Sequence, residues 1–471
     1  MAFPRIRNPL ATAPHTKRLP DAEVRRRYPI YRWRVMESTF IGYAAFYLVR
    51  NNLGAISKDV GSALHYNDSM LGSILAITAA TYGIGKFLMG AWSDRSDPRR
   101  FMALGLFLTA ICNFAFGGVA SFKLHLLLWG LNGLFQGMGW PPCGRSMGHW
   151  FSERERGWTF SIWNTSHNVG GGVAGLLAAW CVTHFGGWQY AFYLPGAIAL
   201  VTSLYLVLRL VDTPQSVGLP PIEIYKNDMP SNHDEDNAER DLPFKTLFVE
   251  HVLKNKYIWL LASANFFAYV SRYSFLDWGA KYLREMKGAT IMGGGWSVFI
   301  IEMSAIIPTI LLGWMSDRIG GRRGMVAALC MIPIFLAFTI MLFTPKGMLW
   351  LDMVMLGVVG FCVYPVINLI VILALDLTSK KAIGTAAGFI GMLGYAGRVF
   401  ESQGIGSILE YYKKLYGSRM AWDIIICSIM ACTLIAGVLL AFTWKLRPRP
   451  AKPDAGVLVD EDALSGVSPQ I

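Results

Sequence analysis

The sequence predicts an all-α membrane protein, with twelve transmembrane helices in two pseudo-symmetric six-helix halves. Three observations predict it. Of 471 residues, 54% are hydrophobic and only 16% charged, well under the quarter or so usual in soluble domains. The apolar residues gather in runs of about 20, the length that crosses a hydrocarbon core of roughly 30 Å. A loop motif and a helix-borne arginine also recur at nearly the same offset along the chain.

The mean hydropathy of +0.39 would demand an implausibly large dry core in a soluble protein. Sixteen Trp, nineteen Tyr and 48 Gly fit a membrane chain, because aromatics gather at bilayer interfaces and small residues let helices approach closely. The net charge of +12 does not point to nucleic acid. Much of it sits in the N-terminal segment (Lys17, Arg18, Arg25, Arg26, Arg27, Arg32, Arg34) and in short loops, the placement that orients a membrane protein. Residues 1–34 are polar, basic and Pro-containing, with no apolar core of a signal peptide. The seven cysteines (Cys112, Cys143, Cys181, Cys330, Cys362, Cys427, Cys432) contain no C-x-x-C pair and read as small core residues, not metal ligands or disulfides.

In order, helices are expected near 37–57, 69–91, 101–120, 124–146, 158–184, 188–210, 257–282, 294–315, 324–343, 348–375, 383–408 and 421–444. This divides the chain into a cytoplasmic N-terminal segment 1–36, a first half 37–211, a linker 212–256, a second half 257–444 and a tail 445–471. The linker carries the acidic run from Asp234 to Asp241 and reads as solvated. Loops on one side hold Arg95, Arg99 and Arg100, then Arg154 and Arg156, then Arg318, Arg322 and Arg323, then Lys380 and Lys381. With an even number of spans, both termini are expected on that side, the cytoplasmic one. The last loop of the opposite side, with Lys413, Lys414 and Arg419, runs against this pattern.

Gly90-Ala-Trp-Ser-Asp94-Arg95 follows the second helix, and Gly313-Trp-Met-Ser-Asp317-Arg318 follows the eighth, 223 residues on; Arg50 and Arg272 stand 222 apart. Two unrelated features at nearly one spacing imply parallel six-helix halves, the architecture of the major facilitator fold, with a substrate site between them near the midplane. In the loop motif glycine allows close helix approach, Asp caps the next element and Arg pairs with carboxylates or helix ends. It reads as a hinge and gate built on Asp94, Arg95, Asp317 and Arg318, or as topology-setting charge.

Several charges lie inside apolar helices. Arg50 is about 13 residues into the first helix, roughly 20 Å deep, and Arg272 is comparably deep in the seventh. An unpaired arginine there costs at least about 2.5–3.5 kcal/mol. Either each pairs with a carboxylate from another helix, or both line a wet cavity and bind an anion, the guanidinium fork matching phosphate or carboxylate oxygens. Lys86 adds a third cation or snorkels to the nearby edge. His167 lies within Trp163-Asn164-Thr-Ser-His167-Asn168-Val-Gly170-Gly171-Gly172 and reads as a titratable donor facing the cavity. The glycines after it either expose backbone N–H groups or allow close packing. Arg398 and Glu401 share one face of the eleventh helix, as an internal salt bridge or with Arg398 reading a second polar group of the substrate. Asp277, Glu302 and Asp376 are the other acids within helices, each able to pair with an arginine or to carry a proton.

The same residues carry a resemblance. Gly42-Tyr43-Ala-Ala-Phe-Tyr47-Leu-Val-Arg50-Asn51-Asn52, Phe135-Gln-Gly-Met-Gly-Trp140-Pro-Pro-Cys-Gly-Arg145, the run from His167, Asp212-Thr-Pro-Gln-Ser-Val-Gly-Leu-Pro-Pro221, Tyr269-Val-Ser-Arg272-Tyr-Ser-Phe-Leu-Asp277-Trp278 and Gly384-Thr-Ala-Ala-Gly388 resemble the organophosphate:phosphate antiporters of the major facilitator superfamily. The likeness runs from residue 30 to about 440 and leans to the glycerol-phosphate branch. It implies that Arg50 and Arg272 bind the phosphate with His167 and Lys86 in support, that Tyr43, Tyr47, Trp140, Trp163, Tyr269, Tyr364 and Tyr395 line the pore, and that Asp277 and Glu302 stand near the site. Two features depart from that branch. Asn51 stands where a lysine is usual, and the Arg398/Glu401 pair occupies a helix that is uncharged there, closer to the hexose-phosphate members.

The resemblance implies exchange of an organophosphate, glycerol-3-phosphate foremost, for inorganic phosphate by rocking of the two halves across a bacterial inner membrane, as a monomer. A hexose-6-phosphate antiporter, a membrane sensor of sugar phosphate and a proton-coupled organic anion symporter are the alternatives. No P-loop, nucleophile elbow or metal-ligand cluster is present in the sequence, so neither an enzyme nor a cofactor is expected.

Overall fold

The apolar runs fold into helical rods, seen in a computed structural model that describes residues 10–93, 95–227, 249, 252–378 and 383–446. Asp94, the run Asp234–Asp241, Lys380 and Lys381, and residues 447–471 lie outside the described residues. Among the described ones there are twelve rods. In order they are α1 (Asp21–Leu48 continued by Asn52–Leu64), α2 (Asp68–Ser93), α3 (Pro98–Gly118), α4 (Phe122–Gln136 and Trp140–Trp150), α5 (Glu153–Asn164 and Ser166–Phe185) and α6 (Tyr190–Arg209). The second set is α7 (Lys256–Asp277, Gly279–Tyr282 and a π turn Leu283–Lys287), α8 (Ile291–Ser304 and Ile306–Arg318), α9 (Arg323–Phe343) and α10 (Leu349–Asp376). The single run Ile383–Ala441 supplies α11 and α12, parted at Gly417, whose φ of 81° suits glycine. Among the described residues, seven helices are long and apolar enough to cross a membrane, the last of them this double run. The rods missing from that set are α1, α4, α5 and α7, which are interrupted or more heavily charged.

The interruptions have local causes. In α4 the chain turns at Gly137-Met-Gly139, and Pro141 and Pro142 then occupy the first turn of the next segment, where a missing N–H costs nothing. In α1 the break falls at residues 49–51 and strands backbone carbonyls in an apolar interior. Side-chain amides satisfy them. Gln136 donates to the Phe46 carbonyl at 2.9 Å, and Asn113 and Asn132 each donate to that of Val49 at 3.0 Å. Asn52 in turn donates to Asn113 and to the Ala191 carbonyl. A break inside a bilayer survives only where neighbouring helices supply such partners.

α1 begins at Asp21, sixteen residues before the apolar run that marks it in the sequence. Its polar first turns belong to a cap on the N-terminal face. Tyr28 stacks on Tyr225 at 3.9 Å, Ala13 N–H donates to Asp212 at 2.8 Å, and Arg145 pairs with Asp212 at 3.2 Å. Burial raises the Asp212 carboxyl above its ordinary range, and the Ala13 N–H and Arg145 oppose that rise. The first residues of the linker are thus docked on the first half, with Leu219 and Ile222 buried.

The halves meet where α2 packs on α11 and α5 on α8. The glycine run of α5 serves packing on two sides, Gly170 against α1 of its own half and Gly171 and Gly172 against α8 of the other. A Cβ on Gly170 would collide with the Ala44 carbonyl of α1, and one on Gly171 would stand 2.8 Å from Glu302 Oε1 of α8. Gly170→Ala is expected to destabilise the protein by about 1–3 kcal/mol through overpacking. A thermal midpoint in detergent equal to that of the wild type would refute this. Among the described residues, every ion pair between the halves lies on the face away from the N-terminus: Asp68 with Lys281 and Lys413, and Asp59 with Arg284.

Candidate functional site

Arg50 occupies the break in α1 and Arg272 the middle of α7, 4% and 8% exposed. Neither forms an ion pair among the described residues, and the Nε of each has no hydrogen-bond partner. Aromatic faces take the place of counter-ions. The Arg50 guanidinium lies 3.8 Å from the centre of the Tyr47 ring and 4.9 Å from Tyr82. That of Arg272 lies 3.9 Å from Tyr364 and 5.0 Å from Tyr273. Such contacts soften the loss of hydration but carry no negative charge.

The two guanidiniums belong to one closed loop of side chains. From Arg50 it passes through Tyr47 to His167, whose ring is 5.6 Å away, and on to Tyr364 at 6.0 Å and Arg272. It returns through Tyr273, Tyr269, Tyr395 and Tyr82, with ring separations of 5.4, 5.5 and 4.9 Å, to Arg50. The loop crosses between the halves twice, at His167/Tyr364 and at Tyr82/Tyr395. His167 also contacts the Asn164 carbonyl through Nδ1, which fixes its ring beside the break of α5.

Lys86 is exposed one turn beyond Tyr82 on α2, its Nζ 5.3 Å above the Trp140 ring. A second aromatic chain leads inward from there, through Phe160 and Trp163 to Tyr43, which stacks on Trp163 at 5.1 Å and touches Tyr47 edge-on. Tyr82, Tyr273 and Phe160 went unmarked in the sequence. Spacing does flag two of them, since Tyr82 is one helical turn from Lys86 and Tyr273 adjoins Arg272.

Two of the acids within helices pair with arginines, as expected, Asp277 with Arg398 and Asp376 with Arg323, but the Arg398/Glu401 salt bridge does not form. Arg398 grips Asp277 of α7 with both arms of its fork, Nε to Oδ2 at 3.0 Å and Nη2 to Oδ1 at 2.9 Å, and its face covers Tyr273 at 4.1 Å. Among the described residues, Arg398 is the cation that pairs with Asp277. This occupies the fork that the sequence offered as a reader of substrate. Glu401 accepts only the Ser402 hydroxyl, at 3.0 Å, and its Oε1 is unpartnered. Glu302 is fully buried and accepts from Asn168 of α5 at 2.9 Å, a link between the halves.

Of the gate residues, Arg95 and Arg318 are both exposed. On the loop of Arg95, Asp97 is buried, caps α3 and pairs with Arg99 at 3.0 Å. In the second half Asp317 is exposed and lies 3.3 Å from Arg323, which also holds Asp376 at 2.6 Å, while Arg318 covers Trp314. No group of metal-ligating side chains is found among the described residues.

Comparison with known proteins agrees with this architecture. A family model described as Major Facilitator Superfamily matches residues 39–400. The chain is 40% identical over 443 residues to the "Glycerol-3-phosphate transporter" of Bacillus subtilis (strain 168), across 93% of this chain and 98% of that protein. It is 36% identical over 452 residues to the "Probable hexose phosphate transport protein" of Chlamydia pneumoniae, across 94% and 97%. Its fold matches a crystal structure of a bacterial homolog of the human lysosomal transporter Spinster with a TM-score of 0.72 at 16% identity, over 89% of this chain and 99% of that one.

Proposed function

Since this chain belongs to the Major Facilitator Superfamily, we propose that it carries a phosphate ester, glycerol-3-phosphate, across the bacterial inner membrane in exchange for inorganic phosphate. One observation carries the reading. Two buried guanidiniums, one from each half, form no ion pair among the described residues, Glu302 acting on Arg272 only from beyond ion-pair distance, and face the same loop of side chains. The missing partner is a dianion. Each guanidinium fork matches two phosphate oxygens, and His167 between them supplies a third contact. Relatives named for glycerol-3-phosphate and hexose phosphate support the phosphate end of the substrate. The ring faces of Tyr43, Tyr269 and Tyr395 suit the small organic end. The N-terminal face, with Arg95, Arg99, Arg318 and Arg322, is the cytoplasmic one, and the carrier works as a monomer.

Exchange follows from charge. Without a ligand, the two halves closing around the site would bring uncompensated cations into a medium of low dielectric constant. A bound dianion neutralises them, so the loaded carrier passes through its closed state more readily than the empty one. Proteoliposomes preloaded with phosphate are therefore expected to take up glycerol-3-phosphate, with glucose-6-phosphate and phosphoglycerate as weaker competitors. Uptake that persists at full rate into phosphate-free vesicles would refute obligatory exchange. Preference for glucose-6-phosphate would reassign the ester.

A further inference from the structure

On the face away from the N-terminus, the ion pairs that close the carrier are sorted by sign. The first half contributes only acids, Asp59 and Asp68. The second half contributes the cations, Lys281, Arg284 and Lys413. Asp68 is held at both oxygens, by Lys281 at Oδ1 and by Lys413 at Oδ2 (3.1 Å), and Asp59 is held by the fork of Arg284, Nη2 to Oδ1 at 2.9 Å. Lys281 and Asp68 are almost fully buried, whereas Lys413 is about one quarter exposed, at 23%. A groove of about 340 Å³, lined in part by Ser69 and Lys414, adjoins Asp68 and Lys413 along the chain.

We propose that Lys281 and Lys413 form a second phosphate-recognition site at this mouth, which Asp68 fills when the mouth is closed and substrate phosphate fills when it opens. The proposal rests on the transport reading above. Parting the halves withdraws Asp68 from the two ammonium groups and leaves Lys281 beside Lys413, which keeps its ion pair with Glu285 at 2.9 Å. A phosphate dianion offers the same paired oxygens with more charge. The site therefore exists for the ligand only in the open state, and a ligand that binds one state alone shifts the population toward it. Glu285, which also accepts from Lys413 and from Trp422 on the same half, stays with the lip and holds the Lys413 side chain in place.

Membrane vesicles that present one face at a time test this through the KM for phosphate in phosphate exchange. Lys413→Gln is expected to raise KM about fivefold at the far face, as loss of one charge-assisted contact would, and to leave it unchanged at the N-terminal face. Asp68→Asn removes the competing carboxylate and is expected to lower the far-face KM by a similar factor. Lys413→Arg should restore the wild-type value. Equal shifts at both faces, or none, while the wild type exchanges phosphate would overturn this inference alone. Absence of exchange by the wild-type chain would overturn the transport reading and this site with it.

Discussion

Arg272→Lys is expected to reduce phosphate exchange by about 100-fold, corresponding to roughly 3 kcal/mol of lost charge-assisted hydrogen bonding. Charge is conserved in this substitution and geometry is not. The guanidinium of Arg272 lies over the Tyr364 ring, 3.9 Å from its centre, a contact that restrains the fork before any ligand arrives. A lysine ammonium is a point charge on a flexible stem and cannot present two parallel donors. Arg50→Lys should behave alike, because Arg50 is held against Tyr47 in the same manner. Neither arginine supports the fold through an ion pair, so thermal midpoints should stay within a few degrees of wild type. Exchange near the wild-type rate in either variant would remove the paired-arginine site.

The second large effect concerns stability. Arg398→Leu leaves the Asp277 carboxylate buried without its cation, and breaking a buried pair from one side costs about 3–5 kcal/mol. Thermal unfolding in detergent should show this loss, and Arg398→Leu combined with Asp277→Asn should recover most of it. Glu401→Gln should change stability by less than about 1 kcal/mol, because Glu401 makes no bond to Arg398. A loss in Glu401→Gln as large as that of Arg398→Leu would mean that the cation is shared between the two acids.

That contrast marks where sequence reasoning stops. Helical spacing pairs Arg398 with Glu401, three residues on, and such spacing is reliable for exposed helix faces. In a helix packed on every side, a partner from a neighbouring helix competes on equal terms, and Asp277 of α7 lies 121 residues away in the chain. The twelve spans and the matched arginines were legible because each rests on a local property, the length of an apolar run or a charge inside one. The extra turns of α1 were not, since a helix that leaves the bilayer keeps its hydrogen bonds while its residues become polar. Lys413 reads only as a loop charge, and nothing local marks Lys281 or Arg284, because their acids, Asp59 and Asp68, lie in the other half. Glu302 and Asn168 were visible singly, but their bond across the halves depends on the close approach that Gly171 permits.

The amides at the break in α1 have a mechanical consequence. Gln136, Asn132 and Asn113 hold the carbonyls just before Arg50, and Asn52 just after it is held from α3 and α6. The root of Arg50 is therefore fixed to the body of its half. Arg272 is fixed likewise, since its neighbour Ser271 bonds Thr433 of α12 at 2.8 Å and Asp277 farther along α7 is clasped by α11. With both roots immobile, the gap between the two forks changes only as the angle between the halves changes. The pair acts as the jaws of a caliper. On the proposed phosphate reading, an anion of a given span that fits between them selects one opening angle, so that the size of the phosphate group, and not its charge alone, would set the posture of the whole carrier.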